Sequence, residues 1–68
     1  MIISARNQFP GKIESVQEGA VNAIVTLKTK GGETITATIS MAAVKELELV
    51  PGKDAIAVIK ATDVMIGV

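Results

Sequence analysis

The chain has no cysteine and no histidine, and Phe9 is its only aromatic residue. Without cysteine or histidine the usual pairs of nucleophile and base and the usual transition-metal ligands are absent, so we expect neither catalysis nor a directly ligated metal ion. A chain of 68 residues without disulfides or a metal buries too little surface for much stability of its own. Self-association is the remaining means of stabilisation.

The chain also has no excess of positive or negative charge and no long apolar run. Seven basic and seven acidic residues cancel and are scattered singly, so we expect neither nucleic acid nor an anionic membrane as a partner. Mean hydropathy is +0.46, yet no apolar run approaches the roughly 18 residues of a membrane helix. The first residues lack the pattern of a signal peptide, so we expect a cytoplasmic protein with its apolar surplus at subunit interfaces.

Hydrophobic periodicity predicts five short strands. They are bounded by glycine-containing turns, of which Lys30–Glu33 is a hairpin turn with two glycines. The last two strands are separated by the KATD step, which we interpret as a tight corner rather than a free loop. The predicted strands cover residues 12–16, 20–29, 34–40, 55–60 and 64–68.

One short helix is predicted between the third and fourth strands. Met41, Val44 and Leu47 are spaced by three, and Ser40 before them is a suitable N-cap for about two turns. Five strands with a helix in this position is the element order of the OB-fold, an all-β Greek-key barrel. The chain is thus predicted to be a single domain over residues 1–68, with an SH3-like barrel as the structural alternative. Closure of a barrel would leave no exposed strand edge.

The polar residues that stand out are hydrogen-bond donors near the two ends of the chain. Donors without nearby acceptor side chains suit a small oxyanion. Ordinary interpretations remain open, since Arg6 and Lys60 could be solvated and Ser40 could act only as a helix cap. Nucleic acid is a poor candidate because base-stacking aromatics and a basic groove are both lacking. The donors are Ser4, Arg6, Asn7, Gln8, Ser40, Lys60 and Thr62.

Four segments and the glycine turn near Gly19 resemble the molbindin, or Mop, family of molybdate-binding proteins, and the resemblance runs over essentially the whole chain. It implies an OB-fold subunit in a homohexamer built as a trimer of dimers. It also implies that molybdate or tungstate is bound as an intact oxyanion between subunits, without an organic cofactor. The segments are SARNQ at 4–8, GKI at 11–13, TATIS at 36–40 and VIKATDVMI at 58–66.

The resemblance also implies which residues bind the oxyanion. Ser4 and Arg6 would donate from one subunit, and Lys60 with the main-chain N–H of Ala61 from another. Some members carry serine where this chain has Ala61, so only the main-chain donor remains there. One arginine and one lysine per site would neutralise a dianion. The full set is Ser4, Arg6, Asn7, Ala20, Ser40, Lys60 and Ala61.

Two functions compete at this point. The first is non-catalytic intracellular binding of molybdate or tungstate for storage, buffering or homeostasis. The alternative is an oligomeric assembly or regulatory module that binds a protein partner, with only incidental anion binding.

Overall fold

The strands form a single antiparallel sheet. In a computed structural model that describes residues 1–68, the elements are β1 (Asn7–Glu18), β2 (Asn22–Thr29), β3 (Thr34–Ser40), α1 (Met41–Glu46) and β4 (Asp54–Ile59). The strand order is β3-β2-β1-β4. The predicted all-β, OB-like fold with a helix between the third and fourth strands is therefore confirmed. The one α-helix, at six residues, is too short to cross a membrane.

Strand β1 is longer than predicted because it pairs with two neighbours in succession. Its first half pairs with β4, from Asn7 opposite Ile59 to Lys12 opposite Asp54. From Gly11 onward it pairs with β2, and a bulge between Ile13 and Ser15 interrupts that second pairing and bends the strand. The residues before Lys12 lack alternating side chains, so the sequence did not predict them as a strand. They form one through main-chain pairing with β4, which does not require alternation.

Close approach of β1 to β2 explains one glycine. A Cβ on Gly11 would lie 2.1 Å from the carbonyl oxygen of Lys28, and main-chain atoms cannot yield as a side chain would. Gly11 is opposite Thr29, where the pairing of β1 with β2 begins. The glycine thus allows β1 to pass from one neighbour to the other.

The core is small and lies on one face of the sheet beneath α1. The predicted alternation of β2 is confirmed, since Ala23, Val25 and Leu27 are buried and the residues between them are more exposed. Val44 of α1 and Ile13 of β1 complete a buried cluster of five residues out of 68. So few buried residues leave the isolated subunit with little hydrophobic stabilisation.

Helix α1 begins at the predicted cap and ends in a strained turn. The Ser40 hydroxyl oxygen accepts a hydrogen bond from the Ala43 N–H at 3.1 Å. At the other end, the N–H groups of Glu48 and Leu49 donate to the carbonyls of Lys45 and Val44, a Schellman motif. Glu48 occupies the left-handed position of this motif, with φ 53°. That position favours glycine because a Cβ crowds the main chain there.

Glycine at position 48 is therefore expected to make the protein more stable than the Glu48→Ala variant, which lacks the same carboxylate, by about 0.5–1 kcal/mol. The relief of the left-handed strain exceeds the added entropy of a glycine in the unfolded chain. Chemical denaturation of the two variants at one protein concentration measures the difference. Glu48→Ala is the matched control, because it removes the carboxylate but keeps the Cβ. Equal stability of the glycine and alanine variants would mean that strain is not the cause.

The predicted fifth strand over residues 64–68 is wrong for the single subunit. Those residues belong to no strand, and the side chains of Met65 and Ile66 are 92% and 86% exposed. The predicted tight corner is confirmed as a 3-10 turn over Ala61–Asp63, closed by a 2.9 Å bond from the Asp63 N–H to the Lys60 carbonyl. No bond continues the β4 ladder beyond this turn, so the last residues find no strand partner in their own chain.

Without that fifth strand the barrel stays open, so the expectation of a closed barrel is also wrong for the single subunit. Strands β3 and β4 are the two edges of the sheet. Between them lies a cleft of about 710 Å³, lined mostly by apolar residues. Its walls include Ile35 and Ile39 from β3 and Ala57 and Ile59 from β4. We name this space the open cleft.

One ion pair gives the fold a small dependence on pH. The Lys12 ammonium donates to Asp54 Oδ1 at 2.7 Å, and this bond, with a further contribution from Lys30, lowers the pKa of the Asp54 carboxyl below its ordinary value of 3.8. A carboxyl whose pKa is lowered on folding adds stability above its unfolded pKa, and that stability is lost as pH falls through the folded pKa. Both side chains are largely exposed, so the effect is small.

On acidification from about pH 5 to about pH 2, the wild-type protein is expected to lose slightly more unfolding free energy than the Asp54→Asn variant. The variant lacks the titrating carboxyl at this position, so only the remaining acids contribute to its loss. Urea unfolding at the two pH values measures the difference. A greater loss in the variant would contradict the stabilising role of the pair.

Candidate functional site

Two cations predicted to bind the oxyanion lie beside the same end of the sheet. Asn7 and Ile59 form the outermost pair of the β1–β4 ladder. Arg6 immediately precedes this pair and Lys60 immediately follows it. The resemblance assigned these two residues to different subunits, whereas here their main chains are neighbours in one chain. Both are exposed, and neither makes an ion pair.

The residues around these cations hold the strand ends in place. The Asn7 side-chain amide donates to the Ile59 carbonyl at 3.3 Å, so it fixes β1 to β4. The Gln8 amide donates to the Ala5 carbonyl at 2.8 Å, which secures the bend that carries Ser4 and Arg6. Gln8 is thus occupied within the chain. The Ser4 hydroxyl is exposed and makes no side-chain hydrogen bond.

Lys60 leads directly into the turn that contains Ala61. The Lys60 side chain makes no hydrogen bond at the start of that turn, and its carbonyl accepts the Asp63 N–H. Ala61 and Thr62 are exposed within the turn. This end of the sheet therefore presents Ser4, Arg6, Lys60 and Ala61 to the surroundings, and we name it the cationic end.

The other two predicted residues, Ala20 and Ser40, lie together elsewhere. Ser40 ends β3 and is opposite Asn22, two residues after Ala20. The Met41 N–H donates to the Val21 carbonyl at 2.8 Å, which joins the β1–β2 turn to the start of α1. Because the Ser40 oxygen accepts from Ala43, its hydroxyl hydrogen remains available to a ligand. The N–H of Met41, the first residue of α1, already donates to Val21 and is therefore not free to bind an anion.

The cationic end and the Ala20–Ser40 group lie at opposite ends of β1. Asn7 and Glu18 are the first and last residues of this 12-residue strand. Asn7 adjoins the cationic end, and Glu18 pairs with Ala23 beside the Ala20–Ser40 group. The length of this strand, which is bent at its bulge, separates the two. One subunit therefore does not bring all seven predicted residues to one point.

The chemistry of the cationic end is that of anion binding. Its polar groups are donors, with one guanidinium and one ammonium that have no carboxylate partner. No three His, Cys, Asp or Glu side chains come together anywhere in the structure as potential metal ligands. The nearest acid in sequence, Asp63, is exposed, and its carboxylate accepts no hydrogen bond.

Sequence reasoning missed the open cleft and the unpartnered tail. The predicted fifth strand, VMIGV, was assumed to close its own barrel. The direction of the tail is set by the 3-10 turn at Ala61–Asp63. Periodicity carries no information about that direction, so the sequence contains no signal that the tail stays unpaired in its own subunit.

Comparison with known proteins gives consistent matches over the whole chain. The family model described as "TOBE domain" matches residues 3–66. A probable molybdenum-pterin-binding protein of Haemophilus influenzae is 57% identical over 68 residues, covering 100% of this chain and 99% of the relative.

Two solved structures are similar in both fold and sequence. An apo form of MopII from Clostridium pasteurianum has a TM-score of 0.94 and 46% identity, and the match covers 98% of this chain and 100% of that one. The cytoplasmic molybdate-binding protein ModG, solved with molybdate bound, has a TM-score of 0.86 and 49% identity. That match covers 90% of this chain and 43% of ModG.

Proposed function

Because this chain belongs to the TOBE-domain family and, within it, to the molbindin (Mop) family, we propose that it binds molybdate or tungstate as an intact oxyanion. Its role is storage, buffering or homeostasis of the anion. The observation that carries the proposal is the cationic end, where Arg6 and Lys60 flank one ladder pair with no carboxylate in contact. Relatives described as binding molybdenum-pterin and molybdate support it.

The charge and donor pattern of the cationic end suit a tetrahedral dianion. Arg6 and Lys60 neutralise two negative charges, and the Ser4 hydroxyl and the Ala61 N–H orient the remaining oxygens. A protonated phosphate is disfavoured because only the Ser4 hydroxyl among these groups can accept its proton, and the guanidinium, the ammonium and the main-chain N–H cannot. Sulfate has the same donor requirement as molybdate, so cavity size provides the discrimination between them.

We propose that the complete site lies between subunits. The Ala20–Ser40 group is too far along β1 to reach the cationic end of its own chain. A second subunit can supply it, with Asn7 near a symmetry axis. The site residues in this proposal are Ser4, Arg6, Asn7, Ala20, Ser40, Lys60 and Ala61.

The surface of the single subunit supports assembly into an oligomer, which we propose is a homohexamer arranged as a trimer of dimers. The subunit exposes 5252 Å², whereas a compact monomer of 7.0 kDa exposes about 4,000 Å². It makes 33 main-chain hydrogen bonds, and about 45–50 would be ordinary for this length. The larger exposed surface and the smaller number of hydrogen bonds are both expected of a subunit whose structure is completed by its partners.

The open cleft and the C-terminal tail suggest how two subunits pair. The tail, residues 64–68, is apolar and exposed. The open cleft lies between β3 and β4, where a fifth strand would close the barrel. Insertion of one subunit's tail into its partner's cleft would bury apolar side chains and pair both free edges. This exchange completes a five-stranded barrel in each subunit.

The protein acts without catalysis and without an organic cofactor, as a single domain over residues 1–68. It acts in the cytoplasm, as does the relative described as cytoplasmic. Neither nucleic acid nor a membrane is a partner.

Isothermal titration of the purified protein with molybdate, tungstate and sulfate tests the function. Tight binding of the first two anions and weak binding of sulfate is the expected result. Equal affinity for all three anions would favour the alternative, an assembly module in which the anion is incidental. Metal analysis of the protein as purified is an independent check.

A further inference from the structure

Three lysines converge where β1, β2 and β4 meet. Lys12 and Lys28 are directly opposite each other across β1 and β2, and Lys30 follows two residues after Lys28. Like charges directly opposite on a sheet are destabilising. Asp54 pairs with Lys12, which leaves Lys28 and Lys30 without an ion pair. We name Lys12, Lys28 and Lys30 the lysine corner.

The lysine corner lines a surface depression with an apolar extension. The charged part, about 270 Å³, has no hydrophobic residue in its lining. It shares Gly11, Lys30 and Asp54 with a neighbouring depression of about 510 Å³, which adds Pro10 and Ile56. Ile56 is 44% exposed. The combined groove therefore suits a segment that carries both acidic and apolar side chains.

The same chain carries such a segment on another surface. Residues 46–50 read ELELV, and Glu46 and Glu48 are exposed without an ion pair. Leu47 and Val50 are 56% and 57% exposed. The Lys53 ammonium donates to the carbonyls of Leu47 and Glu48, at 2.6 and 3.3 Å, so it holds the main chain of this turn in place. We name residues 46–50 the acidic turn.

We propose that the acidic turn of one copy docks in the groove at the lysine corner of a second copy. Glu46 and Glu48 then meet Lys28 and Lys30, while Val50 covers Pro10. Leu47 and Ile56 also line the open cleft, so they lie at the border between this contact and the inserted tail. Each surface supplies what the other lacks, since two unpaired cations meet two unpaired carboxylates and exposed apolar side chains meet each other. A nucleic acid would use only the charged half of the groove.

The contact has a consequence for symmetry. The two surfaces are different parts of the subunit, so the contact is head-to-tail and can close into a ring. Exchange of tails is reciprocal and produces a two-fold pair. The inference rests on the hexamer proposed above and assigns its three-fold contact to these charges.

Charge reversal tests the contact. The variants are Lys28→Glu with Lys30→Glu, Glu46→Lys with Glu48→Lys, and the four-fold combination, whose net charge equals that of the wild type. Glu18→Lys, at the exposed end of β1, is the control for a reversal outside both surfaces. Sedimentation velocity without any oxyanion, at about 50 mM and about 1 M salt, measures the mass of each.

Each double variant is expected to fall from hexamer to dimer, with the association constant between dimers at least about tenfold lower. The four-fold variant is expected to regain the hexamer, which also shows that the substitutions permit folding. High salt is expected to convert the wild type partly to dimer. Double variants that remain hexameric, or a four-fold variant that stays dimeric, would overturn the contact. A wild type that is dimeric at low salt would overturn the hexamer as well, while the titrations with molybdate test the site separately.

Discussion

Replacing Arg6 with alanine is expected to weaken molybdate binding by at least about a hundredfold while leaving the oligomer intact. A hydrogen bond to a charged group contributes about 1.5–3 kcal/mol, and a guanidinium can make two of them to one oxyanion. A hundredfold loss corresponds to about 2.7 kcal/mol. Arg6 is exposed and makes no ion pair in its own chain, so its removal costs the fold little. Isothermal titration and light scattering measure the two effects.

Two further substitutions make the result specific to Arg6. Lys45→Ala removes an exposed cation from the last turn of α1, which supplies none of the proposed site residues, and is expected to bind molybdate as the wild type does. Arg6→Lys keeps the charge but loses the paired donors, so intermediate affinity is expected. If Arg6→Ala binds as tightly as the wild type, the assignment of the site is wrong even though the protein binds the anion.

Deleting residues 64–68 is expected to abolish pairing of subunits. Full burial of a Val, Ile or Met side chain contributes about 1.5–3 kcal/mol, and the tail contains four such residues. The shortened chain also leaves the edges of β3 and β4 unpaired. We expect a species of monomer mass, or an aggregate formed through the free edges, in place of the defined oligomer. Light scattering coupled to gel filtration distinguishes these states.

The absence of cysteine from the chain allows a direct control. A variant with Ile66→Cys in the tail and Ala57→Cys in the open cleft has no other thiols. Oxidation is expected to give covalent dimers on a denaturing gel. A cross-link confined to single chains would show that the tail returns to its own cleft. If the chain lacking residues 64–68 forms the same oligomer as the wild type, the tail is not needed for pairing.

The sequence predicted the strands in which apolar and polar side chains alternate, and the helix start that a side chain caps. Strand β3 was predicted with its observed ends, and Ser40 caps the helix as expected. The first residues of β1 were missed because NQFPG has no alternation and is a strand only through its pairing with β4. The fifth strand was predicted from alternation, but in the single subunit those residues pair with no strand. Periodicity identifies a segment suited to a sheet but not the chain that supplies its partner.

Predictions of the site have a similar limit. The donors near the two chain ends could be found from composition, and β1–β4 pairing does bring Arg6 and Lys60 together. Periodicity gave no reason to place Ala20 and Ser40 at the far end of β1, because that depends on which strands pair and in which register. Which subunit supplies which donor depends on an interface that one sequence does not define.

The distance between the cationic end and the Ala20–Ser40 group links loading of the protein to its assembly. In the proposed oligomer each subunit gives one end of β1 to one site and the other end to a different site. A bound oxyanion then holds two subunits together, and by mass action its binding favours the assembled state. The reverse also holds, since dilution that separates subunits must release the anion with them. Concentration of the protein would thereby set how readily it gives up its cargo.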